Sequence, residues 1–218
     1  REGEMGKPSD FPDSSEGPEW AKGMTLPPPW QRGAEQVRMD TSWLTVSQIA
    51  AIAPTGHDAA YGLVHFKNRA LAILPVFNDG TIAMVGQHRF PFGRFEWEIP
   101  EGGVPYTEDL LEGAKRELAE EAGLEARVWT PLLMVQTSNS VTDEVGYCYL
   151  ATDLHPVPQA FDETEVLLTA RVPFHQLLDD IGRGHIRDAL TLVCLLRLDH
   201  LARTGQLDPA LTEALIGR

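Results

Sequence analysis

Residues Gly102 to Leu124 read GGVPYTEDLLEGAKRELAEEAGL, and the spacing within them decides how the rest of the chain is read. Leu111, Ala114, Leu118 and Ala122 recur at helical spacing, which predicts a helix over Glu108–Ala122 with Thr107 as N-cap and Gly123 as stop. Glu117, Glu120 and Glu121 stand at i, i+3 and i+4, so three carboxylates share one helical face beside that apolar stripe. Like charges at this spacing weaken a helix by about 0.2–0.5 kcal/mol per pair. An oxygen-seeking divalent cation turns the repulsion into binding, and carboxylate ligands suit Mg²⁺ or Mn²⁺ rather than zinc. Arg116 lies one turn from Glu112 and Glu120 and can orient one carboxylate while the others bind metal. Taken alone, a glutamate-rich helix is more often a solvated acidic face. The flanking glycines argue otherwise, since they suit a loop–helix–loop whose backbone passes close to a ligand.

On both sides of this helix the chain reads as strands. Upstream, Trp43–Ile52, Tyr61–Phe66, Ala70–Phe77 and Ile82–Val85 are short, β-branched segments separated by turn residues. Asn78-Asp79-Gly80 reads as a hairpin loop between the last two. Downstream come Ala126–Thr137, Glu144–Thr152 and Val166–Val172, a short helix at Phe174–Ile181, and an apolar helix over Asp188–Ala202 with Asp188 as N-cap. Strands around a long helix, with few βαβ repeats, predict an α+β domain with helices packed on sheet faces. The first 31 residues, rich in proline, glycine and acids, read as an extended arm in which Trp20 and Trp30 are the candidate anchors.

The 218 residues include 32 acidic and 18 basic ones, a net charge of −14. Such a surface repels phosphate backbones and anionic bilayers, which excludes general nucleic-acid coating and membrane binding as expectations. A small phosphorylated substrate remains compatible where a metal ion or a local arginine meets it. Cys148 and Cys194, far apart and without metal-ligand spacing, read as reduced buried thiols, with a single disulfide as the alternative. With no apolar run of about 20 residues, the expectation is a soluble, cytoplasmic protein.

The stretch resembles the Nudix box, G-x5-E-x7-R-E-U-x-E-E-x-G-U with U aliphatic, at every specified position. With ordinary residue frequencies, a chance match of that length has a probability on the order of 10⁻⁷. The resemblance implies the Nudix fold, a mixed β-sheet sandwiched between helices (α/β/α), here with an N-terminal β extension. It implies metal ligation by Glu117, Glu120 and Glu121 together with the backbone carbonyl of Glu101, and a bracing pair of Glu108 and Arg116. Gly102 and Gly123 would be the structural glycines of the box.

Similarity extends over roughly Trp43–Ala202. Gly86-Gln87-His88-Arg89-Phe90 and Trp97-Glu98-Ile99-Pro100-Glu101-Gly102-Gly103 look like the ADP-ribose pyrophosphatase branch, with Glu101 in place of the usual alanine. Arg89 would then contact diphosphate or ribose, or be a surface arginine. Glu98 is a ribose or outer metal ligand, or a strand-end acid. Ser138–Glu144 sits where that branch carries a loop whose closing glutamate helps activate the attacking water. Glu144 is the candidate, with Asp143 beside it as the substitute. Trp43 and Phe66 are either base-stacking or core aromatics, and none of the seven histidines is assigned to metal.

The expected activity is metal-dependent hydrolysis of nucleoside diphosphate sugars to a nucleoside monophosphate and a sugar phosphate. Other linked diphosphates, such as dinucleotide cofactors or dinucleoside polyphosphates, and a non-catalytic nucleotide-sugar sensor are the alternatives. The expected layout is an arm at 1–31, N-terminal strands at 32–66 that serve a homodimer, a Nudix domain at 67–205 and a helical tail at 206–218.

Overall fold

Strand β4 (Asn68–Pro75) organises the molecule, because its alternate side chains feed two different cores. The computed structural model describes Phe11 and residues 17–159 and 166–217. On one face of β4, Leu71 and Ile73 pack with Leu110, Ala114 and Leu118 of helix α1 (Leu110–Ala122). On the other, Ala72 and Leu74 pack with Leu190, Cys194, Leu195 and Leu198 of helix α3 (Ala189–Arg203). Strand β9 (Val145–Pro156) repeats the alternation, sending Tyr147 and Tyr149 to the first core and Cys148 and Leu150 to the second. A period of two read across a strand buried on both faces gives the helix–sheet–helix layering.

The central sheet has the order β7-β4-β9-β8, with β7 spanning Glu101–Pro105 and β8 Leu124–Gln136. It is mixed, since β4 and β9 run parallel while the other pairs are antiparallel. A second sheet, β10-β5-β6, joins β5 (Thr81–Arg89) to β6 (Arg94–Glu98) and β10 (Leu168–Pro173). Helices α2 (Phe174–Gly182) and α4 (Pro209–Ile216) extend the α3 layer. The N-terminal extension is a separate antiparallel meander of β1 (Gln31–Asp40), β2 (Leu44–Ile52) and β3 (Asp58–Phe66).

Several local expectations are corrected. The box helix begins at Leu110, not Glu108, and its N-cap is Asp109, whose carboxylate accepts from the amides of Leu111 and Glu112. A carboxylate there also meets the positive end of the helix dipole, which Thr107 two residues earlier does not. The Asn78–Gly80 turn forms, with Val76 bridged to Ile82, but beyond that bridge its strands diverge into different sheets. Strand β6 ends at Glu98, as the strand-end reading of that residue has it, whereas β7 lies outside the strand segments read from the sequence. Their sequences, RFEWE and EGGVP, are rich in charge and glycine, and pairing with neighbours overrides that weak propensity.

Trp43 is an exposed residue of the β1–β2 turn rather than core. In the N-terminal arm Trp20 is exposed, Trp30 stands edge-on to Tyr61, and Phe11 is the ring that reaches the core, edge-on to both Tyr147 and Tyr149. The prolines at 8 and 12 lie outside the described residues. Cys148 and Cys194 are free and buried. Among the described residues no helix is long and apolar enough to cross a membrane.

Candidate active site

Helix α1 brings its carboxylates to the segment that enters it. Glu121 accepts a 2.9 Å hydrogen bond from the backbone N–H of Glu101. Glu117 lies so close under Gly102 that a Cβ there would sit 2.1 Å from its carboxyl carbon. Only glycine permits that approach. At the other end, Gly123 takes a left-handed φ of 63° and caps the helix, which turns the chain directly into β8.

Glu117 and Glu121 are buried, whereas the third acid, Glu120, remains partly exposed. Arg116 ties the group together. Its Nη1 donates to Glu117 at 2.8 Å and to Glu120 at 3.0 Å, and its Nε stands 3.5 Å from Glu108. Partial burial alone would ease its deprotonation, but Glu117, Glu108 and Glu120 more than offset this and hold the guanidinium charged. Glu112, the other residue one turn away, pairs with Lys115 instead.

Among the described residues no three His, Cys, Asp or Glu side chains are gathered around one point for a metal ion. Arg116 supplies the positive charge between Glu117 and Glu120. The donor chemistry nevertheless fits a hard cation, with three carboxylates on one helix beside a backbone segment held close by Gly102. Arg116 bonds Oε1 of Glu117 and Oε2 of Glu120, one oxygen of each carboxylate.

Between strand β6 and the N-terminus of α3 lies a cleft of about 420 Å³ lined by Arg89, Phe92, Arg94, Glu96, Glu98, Arg187 and Asp188. Glu98 is 1% exposed and is gripped by Arg89, whose Nε donates at 3.0 Å, and by Gln87, whose amide donates at 2.9 Å. Burial raises the proton affinity of Glu98, with Arg89 and Gln87 pulling it back. Arg89 is therefore neither a loose surface arginine nor wholly free for a ligand; it is built into the wall. Glu96 bonds Arg94 and, at 3.3 Å, Arg187.

The sequence reading missed Arg94, Glu96 and Arg187. Alternation along Arg94-Phe95-Glu96-Trp97-Glu98 was the available signal, since it puts the three charged residues on one face of a strand. Asp188 caps α3 by accepting from the amide of Thr191, as expected, and it also lines the cleft.

Glu101 links the two regions. Its backbone touches Glu121, while its side chain is hydrogen-bonded to Asp188 and, at 3.3 Å, to the hydroxyl of Thr191. Burial, reinforced by the carboxylates of Asp188 and Glu98, holds its proton affinity well above that of an ordinary glutamate. Folding thus favours the protonated form. The resulting stability is complete below the usual glutamate pKa and is lost as pH rises through the elevated one. Glu101→Gln copies the protonated acid. In chelator-treated protein its Tm should match the wild type near pH 5 and exceed it near pH 8. Each tenfold difference in proton affinity is worth about 1.4 kcal/mol, or about 3–6 °C in a chain of this size. Parallel melting curves across that range would contradict the assignment.

Glu144 sits at the base of β9, where its carboxylate accepts a 2.6 Å bond from the Thr137 hydroxyl. Its neighbour Asp143 pairs with His65 of β3 at 2.8 Å. Tyr106, in the turn before the box helix, lies near both acids, and burial followed by their charge raises its pKa.

A family model of the NUDIX domain matches residues 67–192, more than half of the chain. The chain belongs to the NUDIX family. It is 34% identical over 143 residues to the ADP-ribose pyrophosphatase of Mycobacterium tuberculosis, a match covering 64% of this chain and 69% of that one. It is 33% identical over 124 residues to the ADP-ribose pyrophosphatase of Bacillus subtilis, covering 56% and 67%. A crystal structure of an ADP compounds hydrolase superposes with a TM-score of 0.75 at 20% identity, over 84% of this chain and 100% of that chain, and shows the fold.

Proposed function

We propose that this chain is a metal-dependent pyrophosphohydrolase of nucleoside diphosphate sugars, with ADP-ribose as the type substrate. The observation that carries it is the continuity of the site: Glu121, Glu101 and Asp188 form one bonded chain from the acidic helix to the arginine-lined cleft. Two relatives named ADP-ribose pyrophosphatase support the substrate class.

In this reading Glu117, Glu120, Glu121 and the Glu101 carbonyl hold Mg²⁺ or Mn²⁺, which when bound neutralises the diphosphate and acidifies an attacking water. The residues do the rest. Arg116, braced by Glu108, fixes the orientation of the box carboxylates. Arg89, held by Glu98, presents a fixed positive charge to the diphosphate. Glu144 takes the proton of the attacking water, with its carboxylate aimed by Thr137. The products are a nucleoside monophosphate and a sugar phosphate.

The exposed apolar residues of the N-terminal meander, Val37, Met39 and Trp43, fit a homodimer face, and the two free thiols fit a cytoplasmic setting. Incubation with a panel of diphosphate sugars and Mg²⁺ tests the activity. Monophosphate release, fastest for one member and abolished by chelation, is the expected result, and no release from any member overturns the proposal. Light scattering should give twice the chain mass; an active monomer would refute the dimer.

A further inference from the structure

We infer that His65, on the N-terminal meander, is a positioning residue for the loop that carries Glu144, an inference that rests on the role proposed for that glutamate. Three bonds from β3 fasten the loop. The Tyr61 hydroxyl donates to the carbonyl of Ser140 at 2.6 Å. The Val64 amide donates to the carbonyl of Val141 at 2.8 Å. Closest to the chemistry, His65 Nδ1 meets the carboxylate of Asp143, the residue immediately before Glu144, at 2.8 Å.

His65 also faces the box. Its ring lies parallel to that of Tyr106, with centroids 6.4 Å apart and planes within 5°. Tyr106 in turn is tied to the meander through its hydroxyl, 3.4 Å from the carbonyl of Phe66. Arg69 lies over the same ring and donates to the carbonyls of Pro105 and Glu108. One imidazole therefore touches both the turn that leads into the metal-binding helix and the loop that presents the proposed base.

The Thr137 hydroxyl fixes the tip of Glu144 and the Glu144 amide donates to the Thr142 hydroxyl at 3.1 Å, while the loop backbone around them is held to β3 at Ser140, Val141 and, next to Glu144 itself, Asp143. Removing the His65 contact frees the loop at the residue next to the base. A displacement of about 1 Å can cost on the order of 100-fold in rate. The half-exposed pair contributes little to stability, so the effect falls on turnover rather than on folding.

The test is a double-mutant cycle in the full chain, with ADP-ribose and saturating Mg²⁺. His65→Ala should lower kcat by about tenfold or more, leaving KM and the Mg²⁺ half-saturation point within about twofold. His65→Asn, whose amide can donate to Asp143 from a similar position, should restore most of the loss. In a Glu144→Gln background, His65→Ala should have almost no further effect, because the group it positions is already disabled. A His65→Ala enzyme with near-normal kcat, or one that loses the same factor in both backgrounds, overturns the proposal. If Glu144→Gln alone leaves kcat intact, the assignment of the base fails and the positioning role falls with it. A harmless His65→Ala beside a damaging Glu144→Gln removes only the positioning role.

Discussion

Glu120→Gln is expected to lower kcat by about 100-fold to 10,000-fold while leaving the melting temperature within a few degrees of wild type. The substitution keeps the size and helix preference of the side chain and removes one of three clustered negative charges. On the stability side, a partly exposed ion pair to Arg116 is lost, worth about 0.3–0.5 kcal/mol at this helical spacing. Relief of repulsion from Glu117 and Glu121 offsets much of that. On the activity side, a divalent ion supplies several kcal/mol to the transition state, and each 1.36 kcal/mol is about tenfold in rate. Steady-state kinetics, Mn²⁺ titration and thermal melting separate the two effects. A variant that melts far lower yet keeps near-normal kcat would make the acidic face structural.

Arg89→Ala should have the largest effect on stability. Glu98 is 1% exposed, and its arginine partner compensates for the loss of water. Removing one member of a buried pair strands the other charge, at about 3 kcal/mol, or about 6–12 °C in Tm. The double variant Arg89→Ala/Glu98→Gln should recover most of the loss, since the neutral amide needs no cation. The deficit of the single variant should also shrink as pH falls, because Glu98 already carries a raised proton affinity and neutralises itself. Thermal melts at pH 7.5 and pH 5 check both statements. A double variant no better than the single one would mean that Arg89 acts through packing rather than charge.

The two predictions differ in how far sequence could reach. The carboxylates of Glu117, Glu120 and Glu121 lie within two turns of one helix, so their shared face follows from helical geometry. So does the left-handed stop at Gly123. The Arg89–Glu98 pair is a matter of strand pairing: the alternation along Arg94–Glu98 signals a strand, but nothing local in it says which neighbour it pairs with. Asp188 was legible as a helix cap, yet its second contact, with Glu101, joins residues distant in sequence. The helix start was misplaced for a related reason: Thr107 and Asp109 are both good caps, and the bonding of the folded chain selects the second. The loop before Glu144 shows the same limit, since its anchors come from Tyr61, Val64 and His65 on another sheet.

The bond from the Ile99 amide to the Thr191 hydroxyl, 3.0 Å long between residues 92 positions apart, has a consequence for synthesis. A chain emerging from a ribosome can form the acidic helix as soon as its own turns are free, because those contacts are local. The arginine-lined wall cannot close until residues 187–191 have emerged, which is after every strand of both sheets that flank it. A nascent chain stalled before that point would carry the box acids without the arginine-lined cleft. Chains arrested at successive lengths should therefore gain protease resistance around Glu98 in one step, once the last long helix is free to dock.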